Sequence, residues 1–395
     1  MISRRAFLHG AALGAGSLAL AACTPVATPS ATSSTPASLK TATEPATPGP
    51  TATGFGGLPL RERIARLLVV GFRGLEVGDA PWLEEAIATG GLGGVILFDK
   101  DGRGGGPRNV ASPDQVARLV TGLRGLATDR ELIVAIDQEG GRVTRLSPDH
   151  GFPAVRSQQA VGEDGDDAVQ TWADGLTSTL ADAGINLNLA PVVDLNINPD
   201  NPSIGAIRRA FSADPAVVAR DAEIAVTAHR SRGIRTTLKH FPGIGSATAN
   251  TDFGVADVTS TWDRKELLPY RHLLDLGLVD AVMSAHVVNG QIDANAPASL
   301  SRATVTDLLR GELGWDGVVI TDDLQAGAIT DAFAAPDAIA RALDAGNDLL
   351  LFANQQVYDP EIVSRTVDTI ENLVLDDRLA EARIDESVTR ISNLL

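Results

Sequence analysis

Short apolar runs alternate with helical patterns eight times along the chain, which predicts an α/β fold, a (β/α)₈ TIM barrel formed by a single catalytic domain. Continuous apolar runs are typical of strands that are covered on both faces in a parallel sheet. A doubly wound sheet is the alternative, but residues 71–75 lack the glycine-rich phosphate loop that usually follows its first strand. The predicted strands are residues 66–72, 91–98, 132–137, 185–195, 235–241, 278–287, 317–323 and 348–352.

A helical pattern follows each of these runs and supplies the second half of each βα unit. Amphipathic segments of this length between parallel strands are the crossover helices that an eight-stranded barrel needs. The predicted helices are residues 80–89, 113–127, 166–183, 216–232, 264–276, 301–313, 337–345 and 360–375.

Composition excludes several classes of protein. The 395 residues include 33 Lys and Arg against 50 Asp and Glu, which gives a formal net charge of -17. This balance argues against a nucleic-acid-binding protein, which needs a basic surface. One cysteine cannot form an internal disulfide, and no His/Cys cluster has the spacing of a zinc site. We therefore expect no metal, no cofactor and no nucleic-acid partner.

The first 22 residues have the pattern of an export signal. Arg4 and Arg5 precede a short apolar stretch that is too short to span a membrane. The arginine pair resembles a twin-arginine signal, although a general secretory signal fits as well. Residues 20–23 resemble a bacterial lipobox, which implies cleavage before Cys23 and lipidation of its thiol. The resemblance implies an extracytoplasmic protein, anchored to the cell membrane by lipid.

Residues 23–54 are almost entirely Thr, Ser, Pro and Ala after Cys23. Such a segment cannot bury enough apolar surface to offset the entropy lost on ordering. We expect it to act as a tether, and residues 55–395 to form the barrel.

Ionisable residues stand at the ends of five predicted strands. These ends carry Asp137, Asp194, the Lys239-His240 pair, His286 and Asp322. In a barrel, the C-terminal ends of all the strands meet at the face that carries the active site. These side chains are therefore expected at one site, with His286 in a packing or supporting role.

The same strand ends carry motifs that resemble glycoside hydrolase family 3, in its β-N-acetylglucosaminidase and β-N-acetylhexosaminidase branch. Four motifs occur in order over nearly all of residues 55–395. They are Ile136-Asp137-Gln138-Glu139-Gly140-Gly141-Arg142-Val143-Thr144-Arg145, Ala190-Pro191-Val192-Val193-Asp194 with the later Arg209-Ala210-Phe211, Lys239-His240-Phe241-Pro242-Gly243, and Thr321-Asp322-Asp323-Leu324.

This resemblance implies a retaining hydrolase that removes β-linked N-acetylhexosamine (GlcNAc) from cell-wall-type glycans by double displacement. Asp322 would be the nucleophile, and Lys239 and Arg209 would keep it ionised. Asp194 would support the site, and the protein is expected to be a monomer. The residues implied to hold the sugar are Asp137, Arg145, Arg209, Lys239 and His240.

The chain departs from the family pattern in the loop after the fifth strand. Members of this branch have a general acid/base His there, oriented by an Asp; this chain has Asp252 and Asn250 instead, and Ile244 replaces a second His. One interpretation makes Asp252 the acid/base, because a carboxyl with a raised pKa can do this work. Asn250 would then be a neutral hydrogen-bonding partner.

Two other interpretations stay open. The acid could lie elsewhere, or the enzyme could be slow and limited to activated leaving groups. Alternatively, the chain could be a catalytically impaired, surface-tethered glycan-binding protein, or a family 3 hydrolase of different sugar specificity, because Ile244 lies in the loop that helps to read the acetamido group.

Overall fold

The computed structural model describes residues 57–102, 105–355 and 357–395. The predicted signal, Cys23 and the tether at 23–54 lie outside these residues. Eight parallel strands form one sheet, and they are β1 (Leu68–Gly71), β2 (Gly94–Leu97), β3 (Ile133–Ile136), β4 (Leu187–Asn188), β5 (Arg235–Phe241), β7 (Ala281–Ser284), β10 (Val318–Thr321) and β11 (Leu350–Phe352). Their order across the sheet is β10-β7-β5-β4-β3-β2-β1-β11.

Contacts between β10 and β11 join the two ends of this sheet. A parallel bridge pairs Ile320 with Leu349, and the Thr321 amide donates to the Leu349 carbonyl over 3.0 Å. The Leu351 amide in turn donates to the Thr321 hydroxyl over 3.1 Å. The sheet therefore closes on itself, and the predicted (β/α)₈ barrel is confirmed.

Helices cover the outside of the barrel, and several begin with a side-chain cap. Ser112 accepts a hydrogen bond from the Gln115 amide, and Asp214 accepts one from the Ala216 amide. The helices are α1 (Leu60–Ala65), α2 (Pro81–Ala88), α3 (Pro113–Leu126), α4 (Gln158–Gly162), α5 (Asp166–Asp182), α6 (Pro215–Arg230), α7 (Leu268–Asp275), the π-helix Ala303–Glu312, α8 (Gly327–Thr330), α9 (Ala335–Ala345), α10 (Ile362–Leu375) and α11 (Glu381–Ser392). Short 3₁₀ turns occupy Val77–Asp79, Pro148–His150, Gly205–Ile207, Arg264–Leu267 and Ala298–Leu300.

Some predicted boundaries differ from the structure. The run at 185–195 contains only the two residues of β4, and its later part forms a loop over the barrel end. The run at 278–287 ends as a barrel strand at Ser284, and its last residue starts β8 (Val287–Asn289). With β6 (Ala256–Asp257) and β9 (Asp293–Pro297), β8 forms a small second sheet that the sequence pattern did not reveal.

The core lies between the sheet and the helices. The strands β1, β2, β3, β10 and β11 are buried at every position, as expected for parallel strands with two covered faces. Within the described ranges, no helix combines the length and the apolar character that crossing a bilayer requires.

The N-terminal end of the barrel is stabilised by a buried carboxylate, Asp348, two residues before β11. Its side chain is fully buried and lies 2.7 Å from the Arg310 guanidinium and 3.3 Å from those of Arg383 and Arg390. The Ser387 hydroxyl donates to it over 2.9 Å. Asp348 therefore joins the π-helix and α11 to the base of the sheet.

We expect Asp348→Ala to lower the free energy of unfolding by about 3–5 kcal/mol, because it leaves three guanidinium groups without their shared counter-charge. Asp337→Ala is the matched control, since Asp337 pairs with Arg341 in an exposed i,i+4 contact that contributes about 0.5 kcal/mol. Urea unfolding of both variants measures the difference. Equal costs for the two substitutions would show that Asp348 does not stabilise this end of the barrel.

Candidate active site

A polar cavity of about 240 Å³ opens at the C-terminal ends of the barrel strands. It lies where a (β/α)₈ barrel places its catalytic residues. Asp194 and His286 lie behind its wall and do not line it, and Cys23 is outside the described residues. The predicted site residues that line the cavity are Asp137, Arg145, Arg209, Lys239, His240, Asn250, Asp252 and Asp322.

Lys239 is the centre of a buried ion network at this cavity. It lies in the second half of β5 and is 2% exposed. Its ammonium lies 2.7 Å from an oxygen of Asp137 and 2.6 Å from an oxygen of Glu139. Arg209 donates two parallel hydrogen bonds of 2.7 Å each to the carboxylate of Glu139. Such a bidentate pair is strong and fixes both side chains in one orientation.

The charges of this network determine the protonation of its members. Burial alone would raise the pKa of Glu139, but the charges of Arg209 and Lys239 outweigh it and hold that pKa well below its usual range. Burial would likewise raise the pKa of Asp137, and Lys239 and Arg145 reverse the direction. Burial would lower the pKa of Lys239, yet the two carboxylates raise it. All the carboxylates and cations of the network are therefore charged at neutral pH.

His240 is oriented from two sides. Its Nδ1 lies 2.7 Å from a carboxylate oxygen of Asp194, and its Nε2 lies 3.4 Å from the guanidinium of Arg209. A proton on Nδ1 satisfies both contacts, because Nδ1 then donates to Asp194 and Nε2 accepts from Arg209. The other oxygen of Asp194 accepts from the amide of Ile244 over 2.8 Å. Asp194 thus supports both the imidazole and the start of the next loop.

Arg145 lies at the rim of the cavity. One of its nitrogens is 3.4 Å from Asp137, and its guanidinium lies 5.2 Å from the centre of the Phe98 ring. A quarter of its side chain is exposed, so it is accessible to a ligand's polar groups. Phe98 is the one aromatic ring among the described residues that line the cavity.

Asp322 follows β10 on the opposite side of the cavity. Its amide donates to the Ser284 carbonyl over 3.0 Å, and its Oδ1 accepts from the Asp323 amide over 2.8 Å. The sequence placed Lys239 and Arg209 near Asp322, and all three side chains line the same cavity. Their ion pairs are with Asp137 and Glu139, which follow β3, and β3 is separated from β5 by β4.

His286 lies beneath this part of the site. It is 1% exposed, and its Nε2 lies 2.9 Å from the main-chain carbonyl of Asp323, while Nδ1 lies 2.7 Å from the Ser299 hydroxyl. Burial lowers its pKa against the raising effect of Asp322. The imidazole therefore fixes the backbone next to Asp322 and does not reach the cavity.

The loop after β5, residues 242–254, carries Asn250 and Asp252, and we refer to it as the proton-donor loop. Asn250 Oδ1 accepts from the amide of Asp252 over 2.9 Å, which forms a local turn. Main-chain hydrogen bonds from Gly327 and Ala328 of α8 to the carbonyls of Asp252 and Thr251 hold the turn at 3.0 and 3.1 Å. Asp252 is thereby held at the same cavity as Asp322.

The two facing carboxyl groups are not equivalent. Loss of hydration in the cavity raises the pKa of Asp252, and the negative charge of Asp322 raises it further. Nearby Arg209 and Asn250 act in the opposite direction without reversing the shift. A carboxyl with a raised pKa beside a second carboxyl in one cavity is the arrangement that acid-assisted nucleophilic displacement uses.

Sequence reasoning did not assign Glu139 and Asp323 to the site. Glu139 is two residues after Asp137. Side chains two residues apart in extended backbone point the same way, so this spacing could have predicted that Glu139 lies on the same side as Asp137. Asp323 lines the cavity, and burial and the nearby charge of Asp322 raise its pKa to about 7, although amide hydrogen bonds from Ala353 and Gln325 oppose the shift. Its role depends on tertiary packing against Ala353, which the sequence does not show.

Comparisons with known proteins agree over most of the chain. The family model described as "Glycosyl hydrolase family 3 N terminal domain" matches residues 59–394. The beta-hexosaminidase of Stenotrophomonas maltophilia (strain K279a) is 34% identical over 355 residues, which cover 83% of this chain and 99% of that protein. Beta-hexosaminidase A of Pseudoalteromonas piscicida is 31% identical over 338 residues, 80% of this chain and 55% of that protein, so the chain spans about half of that relative's length.

A solved structure shows the same architecture. The glycoside hydrolase family 3 beta-N-acetylglucosaminidase from Paenibacillus sp. str. FPU-7 superposes with a TM-score of 0.77 at 36% identity, covering 85% of this chain and 62% of that chain. The family match spans the described barrel almost from end to end, together with the strand ends that build the cavity. The chain therefore belongs to glycoside hydrolase family 3.

Proposed function

We propose that this chain is a retaining β-N-acetylhexosaminidase with Asp322 as the nucleophile and Asp252 as the general acid/base. The carrying observation is that both carboxyls line one cavity, where Asp252 is partly open to solvent and its pKa is raised by lost hydration and by the charge of Asp322. The names of the relatives support the reaction class, since they are beta-hexosaminidases of the same family.

The reaction would proceed in two displacements. Asp322 attacks the anomeric carbon as the glycosidic bond breaks, and Asp252 gives its proton to the departing oxygen. Asp252, now ionised, then takes a proton from the water that attacks the covalent glycosyl-enzyme, which releases the sugar and regenerates Asp322. The acid becomes the base between the two steps, so one residue serves both.

The ion network would bind the sugar's hydroxyl and acetamido groups. Asp137 and Arg145 stay accessible at the rim while Lys239 and Glu139 are buried behind them. A charged partner makes a hydrogen bond to a neutral hydroxyl stronger. Because the network is held by its own ion pairs, the sugar-binding half of the cavity is formed before substrate arrives.

We also propose that the substrate is a cell-wall-type glycan. The protein would be an extracytoplasmic monomer, tethered through lipid at Cys23. Both rest on the sequence of residues 1–54 and on the family resemblance. Metabolic labelling with a fatty-acid analogue, with Cys23→Ser as the control, tests the anchor directly.

The alternative is a surface-tethered glycan-binding protein. The pre-formed ion network favours it, because that network does not depend on the altered loop. Calorimetric binding of N-acetylglucosamine combined with no turnover of any aryl glycoside would select this alternative.

We expect Asp322→Ala to slow hydrolysis of aryl N-acetyl-β-glucosaminides by several orders of magnitude, since the covalent intermediate cannot form without the proposed nucleophile. The assay is release of the aryl group under saturating substrate. Asp337→Ala, on the outer face of α9, is the control and should keep wild-type activity. Equal rates for wild type and Asp322→Ala on every sugar tested would overturn the hydrolase proposal.

We expect Asp252→Ala to slow substrates with poor leaving groups by about 10² to 10⁴-fold and to spare activated ones, because only poor leaving groups need the proton. Asp323→Asn is the matched comparison, as it removes a neighbouring carboxyl from the same cavity. A leaving-group series and rescue by azide measure the effect. If Asp323→Asn shows the leaving-group dependence and Asp252→Ala does not, the proton comes from Asp323.

We expect Glu139→Gln to lower the free energy of unfolding by about 3–5 kcal/mol and to raise KM, because Arg209 loses its buried partner. Glu163→Gln removes the exposed partner of Arg208 and should cost about 1 kcal/mol or less. The pKa of Glu139 is lowered by folding, so its contribution is present above the unfolded-state pKa of about 4.5 and is lost as the pH falls below it. The free energies of unfolding of the two variants, measured in urea, should therefore differ more at pH 7 than at pH 3.

A further inference from the structure

A fully buried carboxyl group, Glu266, lies under the proton-donor loop and outside the cavity. It belongs to the 3₁₀ turn Arg264–Leu267 and is 0% exposed. Its Oε2 accepts a hydrogen bond from the amide of Gly245 over 3.0 Å. The backbone of Gly243 passes so close that a Cβ there would lie 2.6 Å from the Glu266 side chain. The loop therefore packs directly onto this carboxyl.

Among the residues that the structure describes, Glu266 forms no ion pair with a cation. The groups that face it are Asp194 from the segment after β4, Tyr270 on α7, and Asp263 and Lys265 on its own turn. Lys265 and Asp263 are exposed at the surface, where solvent screens them. Asp194 is buried, and Tyr270 can offer only a hydroxyl. Within the described residues, neither Oε1 of Glu266 nor the Tyr270 hydroxyl has a hydrogen-bond partner.

A charge in this position would be costly. Burial first, and the negative charge of Asp194 second, raise the pKa of Glu266 to about 8, against the opposing effect of the Gly245 amide. A buried carboxyl that lacks a cation keeps its proton at neutral pH. One oxygen then accepts from the loop amide while the other carries the proton.

We propose that Glu266 is a positioning residue: in its neutral form it holds the proton-donor loop against the barrel, and its ionisation loosens that loop. Two carboxyl groups hold consecutive amides here, since Asp194 accepts from Ile244 and Glu266 accepts from Gly245. Only one of them can be an anion without strong repulsion in a dry site. When hydroxide removes the proton of Glu266, the resulting anion faces Asp194 and is stabilised by hydration, which requires the loop to lift.

The consequence for catalysis rests on the proposed function. Asp252 is carried by the same loop, seven residues beyond Gly245. Lifting the loop withdraws Asp252 from Asp322, so kcat/KM should fall as the pH rises through the pKa of Glu266. A fall in kcat/KM near pH 8 would then reflect the ionisation of Glu266, which does not touch the substrate.

Hydrogen–deuterium exchange of residues 242–254 tests the loop directly and needs no substrate. We expect the wild-type chain, with exchange corrected for the intrinsic rate at each pH, to lose protection of this segment between pH 7 and pH 9. Glu266→Gln keeps the shape of the neutral acid and cannot ionise, so its protection should not change over this range. Glu163→Gln, an exposed glutamate, is the control and should behave as wild type.

Two results would overturn the proposal. One is the same pH dependence of exchange in wild type and Glu266→Gln; the other is full protection of the loop in wild type at pH 9. If Glu266→Gln folds poorly, Glu266→Ala provides the second test, and loss of loop protection at pH 7 with α3 and α10 still protected would support the positioning role. Unchanged protection of the loop in Glu266→Ala would contradict it.

Measuring kcat/KM against pH separates this proposal from the proposed function. A loop that opens in wild type and not in Glu266→Gln, together with no hydrolysis at any pH, supports the positioning role and overturns the hydrolase assignment. Hydrolysis with an alkaline limb that is identical in the two chains supports the hydrolase and overturns the role of Glu266 in catalysis.

Discussion

The candidate site depends on one constraint: the ammonium of Lys239 is almost fully buried, so counter-charges must be within contact distance. Asp137 and Glu139 meet that need from β3, while Lys239 comes from β5. Two strands that flank β4 are thereby tied together across it, which suits a strand that is only two residues long. Glu139 then orients Arg209, and Arg209 approaches His240, so this wall of the cavity depends on the neutralisation of a single cation.

Buried charge is used differently at the two ends of the barrel. At the N-terminal end, Asp348 is fully buried among three arginines and a hydroxyl that all contact it. At the C-terminal end, Asp137, Arg145 and Asp322 keep part of their surface open to the cavity. The same chemistry therefore stabilises the fold at one end and presents polar groups at the other, as the barrel architecture predicts.

Much of this arrangement could be predicted from the sequence, and what could not has identifiable causes. Continuous apolar runs revealed the eight strands, and polar residues at their ends placed Asp137, Lys239, His240 and Asp322 at one cavity. The ion pairs of Lys239 and Arg209 with Asp137 and Glu139 could not be predicted, because spacing along the chain does not say which carboxylate a cation will contact. The small sheet of β6, β8 and β9 was missed, as each of its strands is too short to show a period. The identity of the proton donor stayed open because Asp252 lies on a loop whose position is fixed by contacts distant in sequence.

The proton-donor loop is held by hydrogen bonds of its main chain, together with the buried side chains of Ile244 and Ala247. Amides and carbonyls of residues 244–252 bond to Asp194, Asn201, Glu266 and the backbone of α8, and Gly245 passes so close to the Leu195 carbonyl that a Cβ would collide with it. These main-chain hydrogen bonds do not depend on which side chains the segment carries. The exposed side chains at 248, 252 and 253 can therefore change while the curve of the backbone persists, so this segment can alter the chemistry of the cavity without a new scaffold.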